Sequence, residues 1–213
     1  MIKTFYYLLD KLFRKIAFYF NFILLLVTGH ILILCLHPKR KEIEEDIERF
    51  CKEHKIGEQG SIIFRFVFLM KNKKCFRNLF YYRIRPRNRL LIPFYPADKS
   101  LNINSCKAIG TGLVFHHPYC TILNAKSIGK NCTVRHLTTV GNKFENDDYR
   151  PTILDNVNIG SGVTIIGDIT IGNNCVIGAG AVVVKSIEDN CVVGGNPARV
   201  LRRIEPNEVG NDK

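Results

Sequence analysis

The chain has 213 residues, 46% of them hydrophobic, and carries 31 Lys and Arg against 19 Asp and Glu, a formal net charge of +12. This composition excludes a disordered chain, and the length fits one good-sized domain with an appendage. The eight cysteines show no C-x-x-C pair and no metal-like spacing with histidine. They read as buried thiols in a reducing compartment, with Cys120, Cys132 and Cys175 in an apolar register of the repeats described below.

The charge is unevenly spread. Up to Ser100 there are 20 Lys and Arg against 9 Asp and Glu, and from Leu101 onward 11 against 10. In chain order, Ile16 to Leu36 (IAFYFNFILLLVTGHILILCL) is apolar for about the ~20 residues that cross a hydrocarbon core, interrupted only by Asn21, Thr28, Gly29 and His30. Cations flank both ends, so the positive-inside rule sets no direction. Two readings stand: insertion or embedding in a membrane, or a pair of buried helices in a helical cap. Lys41 to Lys55 is expected as an amphipathic surface helix, with Ile43, Ile47 and Phe50 on one face and acids on the other. Ser61 to Ile84 is expected as a second helix, apolar and then basic. Lys71, Lys73, Lys74, Arg77, Arg83, Arg85, Arg87 and Arg89 are interleaved there with Phe76, Phe80, Tyr81 and Tyr82. That mixture fits an anionic membrane surface better than nucleic acid, and a solvated helical face equally well. Pro86, Pro93 and Pro96 end the helix and mark a linker.

The rest of the chain is organised by a six-residue period. Ile153, Ile159, Ile165, Ile171, Ile177 and Val183 recur at every sixth position, and Gly160, Gly172 and Gly178 follow three of them. Six is a multiple of the strand period of two and not of 3.6, so these residues share one interior only on an extended backbone. Val157, Val163, Ile169, Cys175 and Ala181 form a second apolar set two positions earlier. The repeat runs back through Ile122, Ile128, Val134 and Val140, and through Ile103, Ile109 and Phe115 in a slipped phase. Hexads of this kind are the signature of a β-helix whose stacked coils bury a continuous aliphatic column, with glycines at the corners to reach positive φ. The expected fold class is α+β: a helical, apolar and basic region over 1–100, a parallel β-helix over 101–204, and a polar tail over 205–213.

Chemistry is sought where the repeat breaks. The phase slip between the Phe115 and Ile122 hexads contains His116, His117 and Pro118, and histidine is the side chain most easily poised as a base near neutral pH. A charged, aperiodic insertion, Asn142 to Pro151, separates two regular coils, as functional loops do. A metal enzyme on this fold would need three converging histidines, and only His116, His117 and His136 lie in the repeats. Adjacent His116 and His117 point to opposite faces of a strand, so no metal is expected.

The pattern I-G-x-G-L-x-x-x-H-P-x-x-T-I, then I-G-K-N-C, T-T-V-G-N, I-G-A-G-A-V-V-V-K and G-G-N-P-A-R, resembles the hexapeptide-repeat acyltransferases. Within them it is most similar to serine O-acetyltransferases of capsule and surface-polysaccharide clusters, over Leu101 to Ile204. The resemblance implies a left-handed β-helix, a homotrimer with sites between prisms, and acetyl-CoA as donor. It implies His117 as the general base toward a hydroxyl acceptor, with a backbone N–H as oxyanion donor. Asn102 stands where the family has an aspartate orienting that histidine. Asn142, Ser161 and Ala179 match positions along which CoA lies, and Lys185 and Arg199 are placed to meet its phosphates. His116 and Arg150 replace an acid and a histidine at the acceptor, which opens a sugar hydroxyl on a glycan precursor beside L-serine. The expected location is the cytoplasm, at or anchored in the inner membrane. A non-catalytic trimeric scaffold is the reading from another class, opposed by the intact histidine slip.

Overall fold

The computed structural model describes residues 2–27, 29–56, 60–86, 88, 91–144 and 149–205. Arg87, Arg89, residues 145–148 of the insertion and the tail from 206 lie outside them. The helices are α1 (Ile2–Val27), α2 (His30–Leu36), α3 (Arg40–Glu53), α4 (Ile62–Asn72) and α5 (Lys74–Arg83). The strands follow in coils: β1 (Leu101–Asn102), β2 (Ala108–Ile109) and β3 (Val114–His116); β4 (Thr121–Leu123), β5 (Ser127–Ile128) and β6 (Thr133–Arg135). Next come β7 (Thr139–Gly141), β8 (Thr152–Ile153) and β9 (Asn158–Ile159), then β10 (Thr164–Ile166), β11 (Thr170–Ile171) and β12 (Val176–Ile177). The chain closes with β13 (Val182–Val183), β14 (Cys191–Gly194) and β15 (Arg199–Arg203).

Each strand pairs in parallel with the strand one coil away, giving three sheets that form the faces of a prism. The only antiparallel pair among the described strands is β14 with β15, a hairpin that covers the open end of one sheet. Strand pairing puts Leu123, Val140, Ile165 and Val183 in one inward row, and all four are buried. Ile128, Ile153 and Ile171 line the second face, and Val134, Ile159, Ile177 and Val193 the third. The second apolar set, Val157 to Ala181, is also buried.

Glycines take positive φ at Gly112, Gly162 and Gly180, as expected, but they share the corners with asparagines. Positive φ falls on Asn131, Asn156, Asn174 and Asn190, which occupy one corner of successive coils and tolerate the left-handed region. Asn156 and Asn174 donate to the next asparagine along, at 3.0 and 2.9 Å. Gly160 serves a different need: a Cβ there would lie 2.7 Å from the Ala179 nitrogen, so glycine permits coils to stack closely. Ile122 is likewise not in the column. It is 48% exposed, and Leu123 points inward instead. Of the cysteines, Cys120 is exposed, while burial pushes the Cys132 thiol up to about 12.

The helical half departs further from expectation. The apolar stretch is two helices bent by 65° at Gly29, which takes φ +80. No single described helix is long and apolar enough to cross a membrane, although this bent pair passes by length and composition. The helix expected over 61–84 breaks at Lys73, which is extended. The Arg77 guanidinium explains the break: it donates to Met70 O, Lys71 O and Pro96 O, capping α4 and holding the linker. Residues 75–83 of α5 are buried and only its first residue, Lys74, is exposed, so Phe76, Phe80, Tyr81 and Tyr82 are core and not a membrane or solvent face. The acids of α3 do not all face water either. Asp46 is 2% exposed and accepts from Arg83 Nε at 2.8 Å and from Gly112 N at 2.7 Å. Arg83 also donates to Ile109 O and Gly110 O, so one buried ion pair fastens the helices to the first coil.

Candidate active site

The slip in the repeat is built by two residues in the left-handed region. His117 (φ 50) and Cys120 (φ 49) each turn the chain, with Tyr119 N donating to His117 O at 2.7 Å. The extra residues displace Ile122 outward and leave the exposed His117 at a prism corner. A cleft of about 800 Å³ opens there between the helical half and the first coil. His116, His117 and Tyr119 line one side, and Lys73, Lys74 and Lys99 are among the residues on the other.

His116 does not share His117's environment. Its Nε2 lies 3.0 Å from Glu53 Oε1, and its ring stacks on His54 at 5.1 Å. His54 in turn stacks on Phe50, and Arg49 donates to Glu53 Oε2 at 2.6 Å. Burial alone would raise the Glu53 carboxyl, but the His116 hydrogen bond and the Arg49 charge outweigh it and hold it below its usual value. Burial and the Lys73 ammonium hold His54 below the ordinary histidine value. Glu53 and His54 were missed from the sequence. The signal was present, because Asp46 and Glu53 are seven apart and continue the inward stripe of Ile43, Ile47 and Phe50.

The site residues expected from the sequence divide into two groups. His117, Ser161 and Ala179 lie along one corner, joined by a ladder in which Leu137 N donates to Tyr119 O, Gly162 N to His136 O and Gly180 N to Ser161 O. Leu137 and His136 stand in that ladder on the coil next to His117, and the small residues Ser161, Gly162, Ala179 and Gly180 follow on the two coils beyond. Asn142 stands at another corner, accepting from Asn124 Nδ2 at 3.2 Å and donating to Phe144 O. Arg150 belongs with it and not with the His117 cleft: it is 4% exposed and donates to Ser105 O and Asn124 Oδ1, fixing the base of the insertion. Asn102 does not orient His117 within this chain. It is exposed, and its Oδ1 accepts from Asn104 N at 3.2 Å, closing a local turn that such side chains favour. Lys185 and Arg199 are exposed near the closing coils. Among the described residues no group of three His, Cys, Asp or Glu is placed to hold a metal ion.

Short parallel strands stacked in three sheets around an aliphatic column define a hexapeptide-repeat β-helix. Residues 150–185 match the family model described as bacterial transferase hexapeptide (six repeats). The chain is 40% identical over 99 residues to the protein named "Putative colanic acid biosynthesis acetyltransferase WcaB" of Escherichia coli K12, covering 46% of this chain and 61% of that one. It is 39% identical over 112 residues to mitochondrial serine acetyltransferase 3 of Arabidopsis thaliana, covering 52% of this chain and 26% of that one. The chain thus spans less than two thirds of these relatives. Among solved structures, Neisseria gonorrhoeae serine acetyltransferase superposes with a TM-score of 0.64 at 24% identity, covering 80% of this chain and 68% of that one. The Brucella abortus S19 enzyme in complex with coenzyme A gives 0.62 at 22% identity, covering 82% and 72%. These likenesses establish helices followed by a left-handed parallel β-helix.

Proposed function

We propose that this chain is an acetyl-CoA-dependent O-acetyltransferase that acts on a sugar hydroxyl, with His117 as general base. The observation that carries the reading is the corner itself, where an exposed histidine on a register slip lines a cleft with room for an acceptor. The His117 ring takes the proton of the acceptor hydroxyl as that oxygen attacks the acetyl carbonyl. Collapse of the tetrahedral intermediate expels CoA thiolate, which recovers the proton, so acceptor and acetyl-CoA become acetyl ester and CoA. No covalent enzyme intermediate forms. The reading includes a homotrimer with sites between neighbouring prisms.

The lining of the cleft favours a glycan precursor. Lys73, Lys74 and Lys99 offer cations, which suit an anionic acceptor such as one carrying phosphate. The position that the resemblance assigns to an acceptor-binding acid is His116, and Glu53 is already engaged by His116 and Arg49. Asp98 is the single carboxylate among the described residues of the lining, and it accepts from Ser100 N and Oγ, so the three lysines dominate the charge of the cleft. L-serine is the second reading, favoured by relatives that carry the name serine acetyltransferase.

The test is CoA release from the purified chain with acetyl-CoA and, in parallel, nucleotide sugars, lipid-linked glycans and L-serine. His117→Ala should lower turnover roughly 10²- to 10⁴-fold with the circular dichroism spectrum unchanged. Turnover retained in that variant would sink the base assignment, and turnover with L-serine alone would sink the glycan acceptor.

A further inference from the structure

Helix α1 has two faces that follow different rules. Leu8, Leu12, Ile16, Tyr19, Ile23 and Leu26 are spaced by three and four, so they form one stripe about 27 Å long. Each is between 49% and 63% exposed, and Phe13 (63%) and Phe20 (66%) border the stripe. The opposite face is committed to the protein in its second half. Phe18 packs on Phe64 at 4.8 Å between ring centroids, Tyr95 donates to Asn21 Oδ1 at 2.7 Å, and Leu25 is fully buried. In its first half, beyond the core, that same face carries Asp10, Lys11 and Arg14, with Arg14 paired to Asp10, and Lys15 stands at the edge of the stripe.

This geometry fits a surface better than a span. The inner side of α1 is packed on α4 and Tyr95, so only its outer side is open to lipid, and the bend at Gly29 returns α2 to the protein, where Ile31 and Leu34 are buried. What remains is an amphipathic helix with an apolar underside and cations on its other face, in the half of the chain that holds nearly all the excess positive charge. That charge complements an anionic bilayer, and three exposed cations within five positions would resist a second copy of the same basic half. We propose that α1 is an in-plane membrane anchor whose Leu8–Leu26 stripe embeds in the headgroup boundary of a bilayer containing anionic lipid. The inference stands independently of acetyl transfer.

Flotation of the purified full chain with vesicles of phosphatidylcholine, with and without phosphatidylglycerol, tests it. The chain should float with both and more completely with phosphatidylglycerol. Ile16→Glu with Ile23→Glu should lower partitioning at least roughly 100-fold while leaving the circular dichroism spectrum unchanged, since both side chains are exposed. Replacing Lys11, Arg14 and Lys15 by Gln should lower binding to the anionic vesicles roughly 10- to 100-fold and leave the neutral ones unaffected. The chain has no tryptophan, so Phe20→Trp adds a lone reporter whose emission should be quenched by brominated lipid. A chain that stays at the bottom of the gradient, a double Glu variant that floats as before, or an unquenched reporter would each overturn the anchor. If the double variant instead lowers the oligomer's mass by light scattering and vesicles bind neither form, the stripe is a contact between copies.

Discussion

In the β-helix, each coil lays one apolar residue per face onto the coil beneath it, so Leu123, Val140, Ile165 and Val183 share the load of one face in equal steps. The helical half rests on the first coil quite differently, through a few unlike contacts: the buried Arg83 guanidinium binds Asp46 and two carbonyls at once, Asn78 donates to Leu101 O, and Glu53 meets His116. The repeating half is tolerant by construction, because every contact is one of many alike. The helical half concentrates its attachment in charges removed from water, where losing one partner strands the other. The cleft lies where the two meet, so its shape depends on both.

The largest expected effect comes from breaking the concentrated attachment. Arg83→Met leaves Asp46 buried without its cation and should cost about 3–5 kcal/mol, read from urea unfolding. Adding Asp46→Leu should recover only part of this, since Ile109 O and Gly110 O remain without Arg83. Full recovery would show that the pair contributes little to docking the helices. Next is the distributed half. Ile159→Ala, at a fully buried inward position of a middle coil, should cost about 2–4 kcal/mol with the same probe. A loss well beyond that would mean that the coils do not act as near-equal steps.

A smaller effect should follow pH at the junction. The folded-state value of His54 is held below the ordinary histidine value, so the unfolded chain binds more protons and stability falls as pH drops below about 6.5. The Glu53 carboxyl is also depressed. Its contribution is present above the carboxylate's ordinary 4.5 and is lost as pH falls through the folded value. Thermal midpoints should therefore decline on acidification, less steeply just below about pH 6.5 in His54→Gln. An equal slope in both proteins would remove His54 from the junction's energetics. At the other extreme, Arg203 and Glu188 pair at 2.6 Å on an open surface, 66% and 77% exposed, and Glu188→Gln should leave the midpoint unchanged.

The solenoid was legible in the chain because its rule is local and repeated. The hexads name their own inward residues, and the second apolar set was buried as expected. The slip was located correctly at His116–Pro118, but its depth was not. Two apolar residues, Ile122 and Leu123, stand side by side there, and only the strand pairing decides which one enters the column. The charges of the helical half were misread for a related reason. Arg77 and Arg83 are chemically the same as solvated arginines, and what separates them is a set of carbonyls far away in sequence. By itself, then, the sequence determined the β-helix, its corners' composition and the histidine slip, because burying one aliphatic residue in every six leaves few alternatives. Only the tertiary structure decided that Glu53 meets His116 and that the basic helix is core. It also decided that Asn102 and Arg150 turn away from His117, because hydrogen-bond partners are assigned in space and leave no period in the chain.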